Sequence, residues 1–329
     1  MKTVQEEVDE RTRLTGNNKC ELLLFHLGEG RYSGRRELYA INVFKVREVL
    51  VMPPITELAS AHEHLMGVAN IRGQIIPVIN LPAVMGCECK KGLSILMVTE
   101  FARTVQAFAV EGVNQIACVD WDQVLPAGDS HAGPLTTGLA RLDGATAHTR
   151  LAQVLDVEQI LQKVMPQATE AITPEVVGPE LSLPKGSVVL VADDSAVARS
   201  AIESGLKTMG VPYIVTKTGK EAWERLQQIG RVAQTEGKTA RDRVAIVLTD
   251  LEMPEMDGFT LTRHIKGDAR FKSIPVVIHS SLTGTTNENH VKSVGADGYV
   301  AKFAPRELAA TIRRVLSENA PARTALAVH

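Results

Sequence analysis

The sequence has no long apolar run, no strong excess of charge of either sign and little cysteine. Its apolar stretches fall well short of the length needed to span a bilayer. The N-terminus, MKTVQEEVDERTRLTGNNK, is polar and acidic, which is not the texture of a signal peptide. Both points lead to the expectation of a cytoplasmic protein. A formal net charge of -2 gives no support to bulk nucleic-acid binding or a membrane-seeking surface. Cys20, Cys87, Cys89 and Cys118 are scattered, as expected for a reducing compartment. Cys87 and Cys89 form the only close pair, without a second cluster of metal ligands. They read as exposed loop thiols after the Gly86 turn rather than as a zinc site. Internal repeats and low-complexity tracts are absent.

What is present is enough chain for two domains: 329 residues, with ordinary apolar and charged fractions. Residues 1–19 read as a flexible polar arm. Residues 20–165 carry short apolar runs (ELLLFHL, LYAINV, LSILMVTE, TVQAFAV) joined by Gly, Pro and Asn turns. That pattern predicts an all-β barrel or sandwich, with a hairpin at 93–113 and a closing helix at Val157–Met165 behind Asp156. Residues 166–186 hold Pro166, Pro174, Pro179 and Pro184 and predict an extended, semi-rigid linker. Over 187–318 strands alternate with helices, as in a doubly wound sheet of five parallel strands. Ser195 is the expected N-cap of a helix that Gly210 stops. Another helical piece is expected around Asn287–Ser293. Residues 231–243 read as a polar insertion, and 319–329 as a tail.

The stretch VAIVLTDLEMPEMDG, Val244–Gly258, is the chemical centre of this second domain. Its apolar start predicts a strand buried on both faces, and Asp250 follows at the carboxyl end, where open α/β sheets place ligands. The first strand, SVVLVADD, ends on Asp193 and Asp194 and should lie beside it. Three converging carboxylates need protons or a cation, and oxygen-only ligands suit Mg²⁺. Ser280 closes the fourth strand and Lys302 the fifth. Together these residues predict a phosphoryl-transfer site with Asp250 as nucleophile. A single Asp after a strand usually caps a turn; the joint pattern at four strand ends is far more specific.

This pattern resembles the receiver domain of two-component response regulators, over Ser187 to about Glu318. The resemblance implies that Asp250 accepts phosphate from a histidine kinase and that Asp194 ligates Mg²⁺ directly. It implies that Asp193 acts largely through water and that the Glu252 backbone carbonyl is a further ligand. Ser280 and Lys302 would contact the phosphoryl group, with Tyr299 as the aromatic that follows Ser280. Two residues depart from the pattern. Phe303 stands where the family has proline after the lysine, and Glu252 adds charge two residues past the acceptor.

Residues 20–165 show no Ser/His/Asp set, phosphate loop or metal spacing; His26, His62 and His64 read as surface or packing residues. Their string VFKVREV…MGVANIRGQIIPVINL resembles the CheW-type coupling domain of chemotaxis proteins, a pair of small five-stranded β-barrels. By that resemblance Arg72 and Glu48, with Val46 beside them, face the receptor. The structural alternative makes Glu48 a solvated face charge, Arg72 an exposed salt bridge worth little and Gly73 a turn residue.

A CheW-like domain followed by a receiver is the architecture of CheV-type proteins. It implies an adaptor, not an enzyme, that couples chemoreceptor tips to a CheA-type histidine kinase under control of Asp250 phosphorylation. Recruitment to membrane receptor arrays is part of that expectation. A phosphate sink for the kinase is the alternative. A DNA-binding response regulator or a metal-dependent phosphatase ranks below it.

Overall fold

In a computed structural model of the chain, the described residues are 19–31, 34–59, 62–101, 104–126, 133–146, 148–166, 172–281 and 294–319. The N-terminal arm up to residue 18, the helical piece expected at Asn287–Ser293 and the tail from residue 320 lie outside them.

The first domain is built on two sheets. One takes the order β10-β1-β3-β13-β12-β11, from β1 (Lys19–His26), β3 (Leu38–Asn42), β10 (Gly112–Asp120), β11 (Val124–Pro126), β12 (Thr136–Arg141) and β13 (Leu151–Leu155). The other runs β4-β8-β9-β6-β5, from β4 (Val46–Val51), β5 (Leu65–Ile71), β6 (Gln74–Asn80), β8 (Ile95–Phe101) and β9 (Thr104–Val110). A two-stranded ribbon, β2 (Glu29–Gly30) with β7 (Cys87–Glu88), flanks them. The first sheet therefore has six strands against an expected five, because the short β11 pairs onto β12. β8 and β9 form the expected antiparallel hairpin.

β1 shows why its apolar run is continuous. Leu22 and Leu24 line the core of their own sheet, whereas Leu23 and Phe25 face a second core shared with the other sheet. Both faces are buried, so no polar alternation is possible. Beyond β4 the chain bridges back to β5: Thr56 and Val68 exchange N–H···O bonds of 2.8 Å in both directions. That approach requires Gly67, whose φ is +140° and whose added Cβ would stand 2.1 Å from the Thr56 carbonyl oxygen. Helix α1 (Leu81–Met85) lies between β6 and β7, and α2 (Val157–Val164) closes the shared core with Val157, Ile160, Leu161 and Val164. Asp156 caps α2 by accepting from the Gln159 N–H at 3.0 Å.

Residues 172–186 lie against the second domain. They contain the short helix α3 (Pro174–Val177), and Val177 is buried in that domain's core. The apolar residues Ile172, Val176, Leu181 and Leu183, spaced among the prolines, pack on the same cluster. The predicted extended spacer is thus a docked strap over this part.

The second domain is a parallel sheet of order β15-β14-β16-β17-β18: β14 (Val188–Ala192), β15 (Tyr213–Thr216), β16 (Val244–Thr249), β17 (Val276–Ser280) and β18 (Gly298–Ala301). Helices α4 (Ala196–Thr208) and α7 (Pro305–Glu318) cover one face, over Val189, Val191, Ile246 and Leu248. Helices α5 (Gly219–Thr235) and α6 (Gly258–Gly267) cover the other, over Leu190 and Val247. All six residues of β16 are buried, as its sequence predicts. The first part of the polar insertion continues α5, which runs to Thr235 and buries Ala233 while Arg231, Gln234 and Thr235 face solvent.

Candidate functional site

The crossover between β14 and β16 sets the site. Each strand ends at the same edge, so Asp193 and Asp194 follow β14 where Asp250 follows β16. One ligand oxygen from each of these three carboxylates lies within 4.8 Å of the others. The local backbone fixes two of them. Asp193 Oδ1 accepts from the Ser195 N–H at 2.9 Å, while the Ser195 hydroxyl caps α4 through Ala198. Asp250 Oδ1 accepts from the Leu251 N–H at 2.7 Å. The loop after Asp250 then turns tightly against the start of α6. A Cβ at Gly258 would stand 2.0 Å from the Asp250 carbonyl oxygen, so only glycine fits there.

Lys302, just past β18, enters the same crevice. Its Nζ lies 2.8 Å from Asp250 Oδ2 and 3.0 Å from Asp193 Oδ2. Its backbone N–H donates to the Ser280 carbonyl at 2.9 Å, which seats Ser280, fully buried, at the end of β17. Tyr299 is half-buried against Leu251, Phe259 and Ile278. The structure thus brings Asp193, Asp194, Asp250, Ser280 and Lys302 to one end of the sheet, with Tyr299 packed behind the acceptor loop.

The electrostatics show a cluster short of positive charge. Burial pushes the Asp250 carboxyl up to about 7; Lys302 opposes this, and Asp193 and Glu158 add to it. Burial and then the charge of Asp250 push Asp194 well above the usual carboxylate range. Asp193 is held below its ordinary value, since Lys302 and His279 outweigh its burial. Burial likewise favours a neutral Lys302, but Asp193, Asp250, Glu158 and Asp194 raise its ammonium instead. Three converging carboxylates that offer hard oxygen donors, two of them pushed up by burial, fit Mg²⁺.

Three residues of this site were not singled out in the sequence. His279 precedes Ser280 in β17, fully buried, with Nδ1 3.9 Å from Asp193 Oδ2. A lone histidine in the apolar strand IPVVIHSS is a signal that points to it. The other two come from the first domain. Glu158, in the first turn of α2, places Oε1 3.0 Å from Lys302 Nζ, and both side chains are buried. Lys45, in a 3₁₀ turn at Val43–Lys45, places Nζ 3.3 Å from Glu252 Oε2. No local pattern marks either residue, because their partners lie in the other domain.

In the first domain, Arg72 and Glu48 are brought together: Arg72 Nη2 is 2.8 Å from Glu48 Oε2. Arg72 and Gly73 form the β5–β6 turn with φ of 52° and 85°, the twist-matched hairpin turn that favours glycine at its second position. Val46 packs half-buried against the shared core. Exposed Val49, Val51 and Ile75 add apolar surface on strands of the same sheet.

Two family models match the chain: a CheW-like domain over residues 21–165 and a response regulator receiver domain over residues 189–313. Chemotaxis protein CheV2 of Helicobacter pylori is 27% identical over 331 residues, covering 94% of this chain and 99% of that protein. Chemotaxis protein CheY1 of the same species is 30% identical over 133 residues, covering 40% of this chain and 98% of CheY1. Among solved structures, the scaffolding protein TtCheW from Thermoanaerobacter tengcongensis is 23% identical, with a TM-score of 0.37, covering 44% of this chain and 92% of that one.

Proposed function

The chain belongs to the CheV-type chemotaxis proteins, a CheW-like domain joined to a response regulator receiver, and from that premise we propose that phosphorylation of Asp250 controls its coupling of chemoreceptors to a CheA-type histidine kinase. The observation that carries this is the placement of Asp250 between Lys302, at 2.8 Å, and the carboxylates of Asp193 and Asp194. An Asp250 carboxylate oxygen attacks the phosphorus of a phosphohistidine. An acyl phosphate forms as the P–N bond breaks, and the imidazole leaves with a proton taken up from water. Lys302 steadies the negative charge of the transferred group, and Ser280 stands at the neighbouring strand end as its hydroxyl contact.

Asp193, Asp194, Asp250 and the Glu252 backbone carbonyl are the residues that would hold Mg²⁺. The bound ion neutralises the phosphoryl oxygens and the crowded carboxylates. Tyr299 packs on the acceptor loop and couples its state to β18 and the surface beside it. Arg72 and Glu48 are the receptor-facing pair, with Val46 beside Glu48 on β4.

The test is phosphorylation by a CheA-type kinase with Mg²⁺, mass-spectrometric location of the phosphate, and measurement of receptor and kinase binding before and after. Phosphate on Asp250 with altered binding supports the reading. Phosphate on Asp250 that leaves binding unchanged points instead to a phosphate sink, and equal binding by wild type and Asp250→Asn removes the switch.

A further inference from the structure

Both departures from the receiver pattern, Glu252 and Phe303, touch the first domain. Glu252 pairs with Lys45, whose side chain is only 12% exposed. Phe303 packs against the core cluster that contains Val157, Ile160, Leu161 and Val164 of α2. Its φ of 60° puts it in the left-handed region, a conformation that bulky residues seldom adopt. The acceptor loop makes a third contact: the Glu255 N–H donates to the Trp121 carbonyl at 3.1 Å, also from a left-handed residue, with φ 64°. Glu158 makes a fourth, by sharing Lys302 with the acceptor. Charge, main-chain and apolar contacts therefore all converge on the loops that surround Asp250, which is itself only 3% exposed.

We propose that the acceptor crevice is the docking site of this chain's own coupling domain, with Lys45 held on the loop after Asp250 by Glu252 and Glu158 seated on Lys302, where a phosphoryl group would otherwise act, so that docking and loading of Asp250 exclude each other. The inference rests on the reading of Asp250 as phosphoacceptor and adds what holds the domain down.

The charges explain the exclusion. Five carboxylates (Asp193, Asp194, Asp250, Glu252 and Glu158) meet two ammonium groups, Lys45 and Lys302. Lys45 brings one of these ammonium groups from the first domain, with Nζ 3.3 Å from Glu252 Oε2 on the loop after Asp250. Glu158 holds Lys302 at 3.0 Å, the lysine a phosphoryl group needs. A phosphoryl group brings roughly -1.5 to -2 charges and three acceptor oxygens, so in a crevice closed to water it repels Glu158 and takes Lys302 from it. One Glu158 oxygen and both Glu252 oxygens lack a hydrogen-bond partner. The docked arrangement is thus held by charge with incomplete hydrogen bonding, which suits an interface that must open. A ligand that binds only the open form shifts the equilibrium by its preference for that form.

The experiment uses the full chain and amine-reactive labelling, with mass spectrometry to read Lys45. Beryllium fluoride with Mg²⁺ serves as the phosphoryl stand-in, and ¹⁹F NMR reports its binding. Without ligand, Lys45 should label slowly; after loading, its rate should rise about tenfold. In Asp250→Asn the same additions should leave the rate unchanged. A ¹⁹F signal from bound fluoride with an unchanged Lys45 rate would overturn the docking inference alone. No ¹⁹F signal from wild type would overturn the acceptor reading and this inference together. The wild-type comparison needs no substitution, so it stands even where a variant fails to fold.

Discussion

Two regions of the molecule handle charge in opposite ways. Where the domains meet, four carboxylates and Lys302 of the receiver share one buried crevice with Glu158 and Lys45 of the CheW-like domain; on that domain's open surface, Arg72 and Glu48 form a pair whose arginine is 80% exposed. Water screens the second arrangement, so its distance of 2.8 Å says little about energy. The first is screened by nothing but its own members, so every charge added or removed matters. A buried cluster responds to each charge added to it; an exposed pair does not.

The comparison breaks first at Asp250. Asp250→Asn should abolish stoichiometric phosphate incorporation from a phosphorylated kinase, read by mass spectrometry of the intact chain. Label of wild-type extent in that variant would place the acceptor elsewhere. Next comes Lys302→Met, which leaves three buried carboxylates without their shared cation. It should cost about 3–5 kcal/mol in urea unfolding without divalent ions. Saturating Mg²⁺ should restore part of that loss; a cost below about 1 kcal/mol would mean that the crevice is no more charge-sensitive than the surface.

A smaller effect tests burial without the cluster. Asp257 caps α6 by accepting from the Thr260 N–H at 2.7 Å, and burial pushes its carboxyl up from 3.8 to about 6. The folded state therefore keeps the proton after the unfolded chain has lost it. The stability from this group is fully present below pH 4 or so and is lost as pH rises through about 6. Asp257→Asn retains an acceptor for the cap, so it should gain on wild type by about 1–3 kcal/mol between pH 4 and pH 7.5. Urea unfolding at those two values checks it, and a constant difference would contradict the assignment.

The smallest change in stability is expected on the exposed side. Arg72→Ala should alter unfolding by less than about 1 kcal/mol, while Arg72→Glu should weaken capture by chemoreceptor signalling tips. Unchanged capture would leave Arg72 as an exposed salt bridge worth little.

The same contrast accounts for what the sequence made legible. The receiver was readable because apolar runs mark buried parallel strands and each run ends on a residue that carries chemistry: Asp194, Asp250, Ser280, then Lys302 after GYVA. Glu158 was not readable, because a glutamate in the first turn of a helix ordinarily complements the helix dipole. Its partner lies 144 residues away. Lys45 sits in VFKV, where nothing local distinguishes it from any surface lysine. The strap was misread for a related reason. Proline content reports on local preference, whereas Val177, Leu181 and Leu183 are held by tertiary contacts. Glu252 and Phe303 were visible as departures, yet only the docked domain shows what they touch.

The docked strap has a consequence for how strong that contact must be. Met165 still packs on the first domain's core and Ile172 already packs on the receiver, so the span between them is only residues 166–171. Fully extended, six residues reach about 20 Å. Short tethers hold their ends at effective concentrations on the order of millimolar. An interface too weak to join the two domains as separate proteins therefore stays shut within one chain, and modest binding energy at Asp250 is enough to open it. Once open, the domains remain neighbours, so closing again needs no search.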